Sequence, residues 1–133
     1  MTHIYTGRYK NPDDIIHTWD GKFLYDGHYA NADAIRYTFD GKHIYRGRYT
    51  NNPDDILITF DGEFIYDTRY TNIGDIIQTV DDQHIYKGRY KNPDAIRMTF
   101  KDGFVYEGRY THPDSIIYNC NGEIPMIFFM TII

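Results

Sequence analysis

Three histidines at equivalent positions are the first candidates for chemistry in this sequence. His3, His43 and His84 recur at intervals of 40 and 41 residues. Neutral imidazole nitrogens are frequent ligands of zinc and of other transition metals. If the three rings meet on a threefold axis, they supply a site for a metal ion or an anion. If they do not meet, each ring fills the position that a phenylalanine takes in the intervening segments.

Recurring Asn-Pro-Asp segments carry a second set of candidate ligands. Carboxylate and amide oxygens can bind calcium or hold the hydroxyl groups of a sugar. The same residue types are favoured in turns for backbone reasons, which explains them without any ligand. We therefore predict no cofactor, with calcium as an alternative. The candidate loop ligands are Asn11, Asp13, Asn31, Asp33, Asn52, Asp54, Asn92 and Asp94.

Arginines and tyrosines that recur at equivalent positions of the sequence, which we call columns, complete the set of candidate binding residues. Arg48 and Arg89 belong to a basic column that can bind anions, although ion pairing with the neighbouring loop aspartates is the favoured interpretation. Tyr37 and Tyr118 can offer flat rings to a sugar. They stand in a column whose other members are His17, Ile58, Gln78 and Met98. Because this column varies, the fold does not dictate its residue type.

These candidates are set out by a six-fold internal repeat that covers almost the whole chain. The first tyrosine of a Tyr-x-Gly-Arg-Tyr motif recurs at Tyr5, Tyr25, Tyr45, Tyr66, Tyr86 and Tyr106. An invariant column is formed by Ile15, Ile35, Ile56, Ile76, Ile96 and Ile116. We interpret the chain as one domain, 1–133, with a repeat region at 3–123 and a divergent apolar tail at 124–133.

Each repeat is predicted to form a β-hairpin. Its two strands are typified by 35–39 and 43–49, which are rich in β-branched and aromatic residues and are separated by Asp-Gly, a strong hairpin signal. The Asn-Pro-Asp segment predicts a turn to the next hairpin. Since no segment has a capped pattern with a period of 3.6 residues, the sequence predicts essentially no helix.

The length of the hairpin turn decides which side chains share a face. A two-residue Asp-Gly turn pairs Trp19 with a lysine, whereas a three-residue turn places Ile15 and Trp19 on one face with Phe23, Tyr25 and Tyr29. The second arrangement gives one aromatic and one polar face, as a half-buried ribbon requires. We therefore expect three-residue turns and tyrosine columns that lie mostly in the core, with an outward-facing subset.

The order of the strands favours a closed ring. The chain begins with the second strand of a hairpin, and its last regular element is a first strand, so the two ends can complete the sixth hairpin. Charges after the first tyrosine also alternate between neighbouring repeats. A propeller-like ring and a β-trefoil-like arrangement both satisfy this pattern. The alternative is an open stack of hairpins.

The segment 99–110, Thr-Phe-Lys-Asp-Gly-Phe-Val-Tyr-Glu-Gly-Arg-Tyr, resembles the hairpin of MORN repeats. Hairpin repeats of bacterial cell-wall-binding domains are similar to the same extent. The likeness recurs in each unit over about half of its length. The His-Gly-x-Gly segment that MORN repeats place between hairpins is replaced here by Asn-Pro-Asp-x-Ile. The resemblance implies a scaffold for protein or membrane contacts.

Composition restricts the partners that we expect. A net charge of −5 argues against non-specific binding to nucleic acid, which requires a basic surface. The ten-residue tail is about half as long as a membrane-spanning helix. The single cysteine, Cys120, and the lack of a signal peptide at the N-terminus favour a soluble, cytoplasmic protein.

Two functional hypotheses follow. The first is a non-enzymatic binding module, for carbohydrate in particular, with several equivalent shallow sites that gain from multivalency. The second is a protein-interaction or structural scaffold domain in which the tail at 124–133 mediates homodimer formation or the docking of a partner. An enzyme is not expected, because repetition explains nearly every polar residue and catalysis requires an asymmetric constellation.

Overall fold

The computed structural model describes residues 1–131, which form one closed barrel of twelve antiparallel strands. Ile132 and Ile133, part of the predicted tail, lie outside the described residues. The strands are β1 Thr2–Thr6, β2 Ile15–Trp19, β3 Phe23–Asp26, β4 Ile35–Phe39, β5 His43–Arg46, β6 Ile56–Phe60, β7 Phe64–Tyr66, β8 Ile76–Val80, β9 His84–Lys87, β10 Ile96–Lys101, β11 Phe104–Glu107 and β12 Ile116–Cys120. A short helix, α1 (Phe128–Thr131), follows the last strand.

The ring closes through its first and last strands. β1 pairs with β2 on one side and with β12 on the other, where Ile4 lies opposite Cys120 and Tyr5 opposite Asn119. The predicted closed ring of six hairpins is confirmed, and the open stack is wrong. All twelve strands form one continuous sheet, which differs from separate propeller blades and from the barrel and cap of a trefoil. We number the hairpins as units 1 to 6, from β2–β3 to β12–β1.

The hairpin turns are displaced by one residue from the predicted position. In unit 1, Trp19 pairs with Leu24, and the N–H of Asp20 donates to the carbonyl of Phe23 at 3.3 Å. The turn therefore centres on Gly21, whose φ of 101° suits a residue without a side chain. The predicted three-residue turn is wrong. We call the end of the barrel that carries these turns the turn end.

This displacement exchanges the faces of the second strand of each hairpin. Trp19 shares the barrel interior with Leu24, while Phe23 and Tyr25 face outward beside Thr18. The first tyrosine of each repeat is still largely buried, because loops cover it from outside. The central interior layer is aliphatic and at most 2% exposed, and it consists of Ile4, Leu24, Ile44, Ile65, Ile85 and Val105.

Long connections between units lie at the opposite end, which we call the loop end. Each begins beside a β-bulge, as where Tyr25 faces Ile35 but Leu24 faces Tyr37. Each also contains one turn of 3-10 helix, which the sequence did not predict. These turns are Pro12–Asp14, Ala32–Ala34, Pro53–Asp55, Ile73–Asp75, Pro93–Ala95 and Pro113–Ser115. Proline is well suited to the first position because it has no N–H to satisfy.

The tail folds back and fills the barrel from the turn end. Ile127, Phe128 and Phe129 are at most 1% exposed. The Phe128 ring lies 4.9 Å from the Trp19 ring, between centroids, and the Phe129 ring lies 5.7 Å from that of Tyr118. These three side chains are core residues and offer no exposed apolar surface to a second chain.

Candidate functional site

The second tyrosine of each repeat forms a ring of exposed aromatic side chains around the barrel. Their exposed fractions run from 55% for Tyr70 to 67% for Tyr29. This column is the outward-facing subset that the sequence left open, and the predicted placement of Tyr29 on the same face as Ile15 and Trp19 is wrong. The ring, which we call the tyrosine ring, consists of Tyr9, Tyr29, Tyr49, Tyr70, Tyr90 and Tyr110.

Every member of the tyrosine ring is covered on one face by the preceding side chain. The guanidinium carbons of Arg8, Arg48, Arg69, Arg89 and Arg109 lie 4.9 to 5.2 Å from the centroid of the following tyrosine. In the remaining unit the His28 ring stacks on Tyr29, with centroids 4.6 Å apart and planes 9° apart. Such stacking orients the aromatic ring and leaves its other face to solvent.

A glycine and a threonine position the stacked pair in four of the six units. In unit 2 the chain reverses at Gly47, which has a φ of 77°. The Gly47 N–H donates to the carbonyl of Arg36 at 2.9 Å, and its carbonyl accepts from the Thr38 hydroxyl at 2.7 Å. These bonds hold the start of the connection against the outer face of its own hairpin. Arg48 and Tyr49 consequently project from a fixed backbone.

Aspartates of the 3-10 turns lie beside two of the stacked arginines. Asp54 is 3.7 Å from Arg69, and Asp94 is 3.2 Å from Arg109, between oxygen and nitrogen atoms. Arg109 also donates to the hydroxyl of Tyr110 at 2.8 Å. The arrangement joins an aromatic face, a cation and an anion within one exposed patch. Because the carboxylates are largely exposed, these ion pairs contribute little to stability.

The predicted loop ligands are distributed over these patches and do not converge on one another. The side-chain oxygen of Asn52 accepts from the Asp54 N–H at 3.0 Å, which is turn chemistry. Asn11, Asn31 and Asn92 occupy the same position, immediately before a 3-10 turn. Asp13 and Asp33 are exposed members of their turns, and Arg48 and Arg89 stack on Tyr49 and Tyr90.

The three histidines do not form a common site. His3, His43 and His84 lie on the outer face of β1, β5 and β9, every fourth strand of the ring. His3 and His43 contact Thr18 and Thr59 through Nδ1, at 3.1 and 3.0 Å, and His84 contacts its own turn. Within residues 1–131 no group of three or more His, Cys, Asp and Glu side chains is arranged to hold a metal ion.

Tyr37 and Tyr118 lie inside the barrel, away from the tyrosine ring. They belong to an interior layer near the loop end that also contains His17 and Gln78. Burial lowers the pKa of His17, although the Tyr25 carbonyl and the Asp26 carboxylate, 3.4 Å away, oppose the effect. Tyr37 and Tyr118 therefore do not lie beside the candidate loop ligands with which we grouped them as binding residues.

Sequence reasoning allowed an outward-facing subset of tyrosines but did not identify its members, because the predicted turn placed Tyr25 and Tyr29 on one face. A usable signal was present: each of these tyrosines directly follows arginine or histidine and precedes a polar connection. A core position in a short strand is seldom flanked in this way. A further group was also missed, since Arg97 and Glu107 line a small pocket beside Tyr118 at the loop end.

A cavity of about 770 Å³ lies beside the tail at the turn end. Trp19, Phe100 and Pro125 contribute apolar surface, while Asp82 and Glu123 contribute carboxylates. It contains no reactive thiol: Cys120 lies in the core, and burial raises the pKa of its thiol to about 12. Trp19 and Phe100 stand at a position that recurs in every unit, whereas Glu123 and Pro125 follow the last strand and have no equivalent in the other units.

A protein-family model described as a 6-fold beta flower protein matches residues 4–133. The chain therefore belongs to that family of repeated β-hairpins, and the MORN resemblance extends only to the hairpin itself. No curated protein and no solved structure matches the chain. No helix of the described residues has the length and apolar character needed to cross a membrane.

Proposed function

We propose that this six-fold beta flower protein is a non-enzymatic binding module whose tyrosine ring binds carbohydrate. The observation that carries the proposal is the exposure of an arginine- or histidine-backed tyrosine at the same position in all six units. A flat ring stacks against the C–H face of a pyranose, and neighbouring charged groups hydrogen-bond its hydroxyls. Six weak sites on one rigid scaffold gain affinity for a polymer through effective concentration.

The charges around the ring favour a neutral glycan. In two units the cation is close to a carboxylate, as at Arg69 and Asp54, so the patch has little net charge. Arg89 is different, because Gly74 occupies the position that an aspartate takes in the other units. The protein as a whole carries a net charge of −5, which disfavours strongly anionic polymers.

The test is a glycan array probed with labelled protein, in buffer with calcium and in buffer with EDTA. We expect binding to a polymeric neutral glycan in both conditions. Replacement of Tyr29, Tyr70 and Tyr110 by alanine is expected to lower the apparent affinity at least tenfold, because alternate sites of the ring are lost together. The matched control replaces the same three residues by phenylalanine, which keeps the stacking face. A blank array, or equal binding by the alanine variant, contradicts the proposal.

A protein partner at the same ring is the second candidate. Tyrosine and arginine are enriched among the residues that dominate protein–protein affinity, and here they alternate around an exposed rim. The discriminating result is a purified partner that binds the native chain and the phenylalanine variant, does not bind the alanine variant and is not displaced by any arrayed glycan.

A further inference from the structure

The interior layer near the loop end departs from the sixfold repeat. It takes one side chain from each unit, namely His17, Tyr37, Ile58, Gln78, Met98 and Tyr118. The next layer toward the turn end is aliphatic throughout. Aliphatic side chains fill the barrel in that next layer. Burial alone therefore does not explain why the layer near the loop end contains polar side chains.

One polar atom of this layer is buried without a partner. Gln78 is 4% exposed, and its Oε1 atom makes no hydrogen bond. A buried polar atom without a partner costs about 1–3 kcal/mol, so the stability of the barrel does not explain this side chain. Tyr118, in the same layer, is half-buried, and burial raises the pKa of its hydroxyl.

A pocket of about 250 Å³ opens above this layer between units 5 and 6. Its lining consists of Arg97, Met98, Glu107, Ile117 and Tyr118. Met98 and Ile117 form an apolar floor, while Arg97 and Glu107 are exposed at the rim. The volume is below the usual range for drug-sized ligands, which restricts the occupant to a small molecule.

The charged residues at the rim of this pocket have different neighbours from the residues at the equivalent positions of unit 2. In unit 2, Arg36 contacts Asp26 at 3.3 Å and lies 5.5 Å from the ring centroid of Tyr37. The position of Asp26 is taken by Lys87 beside unit 5. Arg97 therefore has a cation as its neighbour there, and in the described part of the chain neither Arg97 nor Glu107 makes an ion pair within 4 Å.

We propose that this pocket binds a free aliphatic α-amino acid as its zwitterion. The ligand carboxylate pairs with Arg97, its ammonium group pairs with Glu107, and its side chain lies on Met98 and Ile117. The Tyr118 hydroxyl supplies an additional hydrogen bond inside the pocket. The site is separate from the tyrosine ring and occurs once within residues 1–131, because these residue types come together only where units 5 and 6 meet.

Isothermal titration calorimetry of the full chain with leucine tests the proposal. We expect one leucine per chain, with leucinamide and 4-methylpentanoate binding at least tenfold more weakly, because each lacks one of the two charges. Arg97→Gln is expected to weaken leucine binding at least tenfold. The matched control, Arg36→Gln, changes an arginine at the equivalent position of unit 2 and is expected to leave leucine binding unchanged.

Glu107→Gln adds a second readout, since it should narrow the affinity difference between leucine and 4-methylpentanoate. Thermal unfolding of each variant checks that it remains folded. The proposal is overturned by an absence of heat from leucine, by equal affinity for the three compounds, or by equal effects of Arg97→Gln and Arg36→Gln. None of these outcomes depends on glycan binding by the tyrosine ring.

Discussion

The hydroxyl of Tyr25 donates a 2.6 Å hydrogen bond to Oδ2 of Asp20, which ties the middle of a strand to its hairpin turn. Oδ1 of Asp20 accepts from the N–H groups of Lys22 and Phe23 at 2.9 and 2.8 Å. Burial disfavours the charged carboxylate, but these bonds outweigh it and lower the pKa of Asp20. The bond to Asp20 is also the main reason that the pKa of Tyr25 rises to about 12.

Asp20→Asn is expected to destabilise the protein by about 1 kcal/mol, the usual contribution of one hydrogen bond, since the amide cannot accept both sets of donors equally well. The pKa of Tyr25 should fall toward the ordinary tyrosine value. Urea unfolding and spectrophotometric titration of the tyrosines measure the two effects. The control is Asp102→Asn in unit 5, where Lys101 occupies the Asp20 position. Equal losses in both variants would show that the Tyr25 bond contributes nothing.

The pKa of His17 predicts a dependence of stability on pH. Because burial holds the folded pKa below the unfolded value of about 6.5, the unfolded chain gains a proton more readily as the pH falls. Stability should therefore decrease as the pH drops from 6.5, with no contribution from His17 above that pH. His17→Gln, which copies Gln78 of unit 4, should remove this component.

The measurement is the free energy of unfolding at pH 7.5 and at pH 5, compared between the native chain and His17→Gln. The difference between the two proteins isolates His17, because every other titrating group is shared. The native protein should lose more stability between these pH values than the variant does. A parallel decline in both proteins would contradict the depressed pKa of His17.

The sequence predicted the repeats and ring closure because both depend on columns that recur without ambiguity. The sequence analysis assigned the side chains of the second strands to the wrong faces, because it chose the turn length that put the aromatic residues on one face. In the structure, hydrogen bonds to the Asp20 carboxylate fix a turn that is displaced by one residue. That single shift exchanges every side chain of β3 between the two faces. The same error prevented the sequence analysis from identifying the tyrosine ring. The tail was unpredictable from its own residues, since its burial depends on the width of a barrel that the columns do not specify.

The thiol of Cys120 should be inert in the folded protein. Burial raises its pKa to about 12, so the reactive thiolate is scarce at ordinary pH. We expect iodoacetamide at pH 8 to leave the native chain unmodified and to alkylate it fully in urea, as measured by mass spectrometry. The reactive control is Thr50→Cys in a Cys120→Ala background, because the Thr50 side chain is exposed. Comparable alkylation rates for the two folded proteins are incompatible with a core position of Cys120.

Phe128 should be one of the largest single contributors to stability in the tail. Its side chain is fully buried and contacts the rings of Trp19 and Phe39, with centroids 4.9 and 5.8 Å away. Phe128→Ala is expected to cost about 3–5 kcal/mol, because it removes apolar contacts and leaves a cavity in the barrel. The measurement is urea unfolding, with Ile73→Ala as the control, since the Ile73 side chain is 68% exposed and its loss should change stability by less than about 0.5 kcal/mol. If Phe128→Ala and Ile73→Ala unfold at the same urea concentration, the tail does not fill the barrel, and its apolar residues become available for contacts between chains.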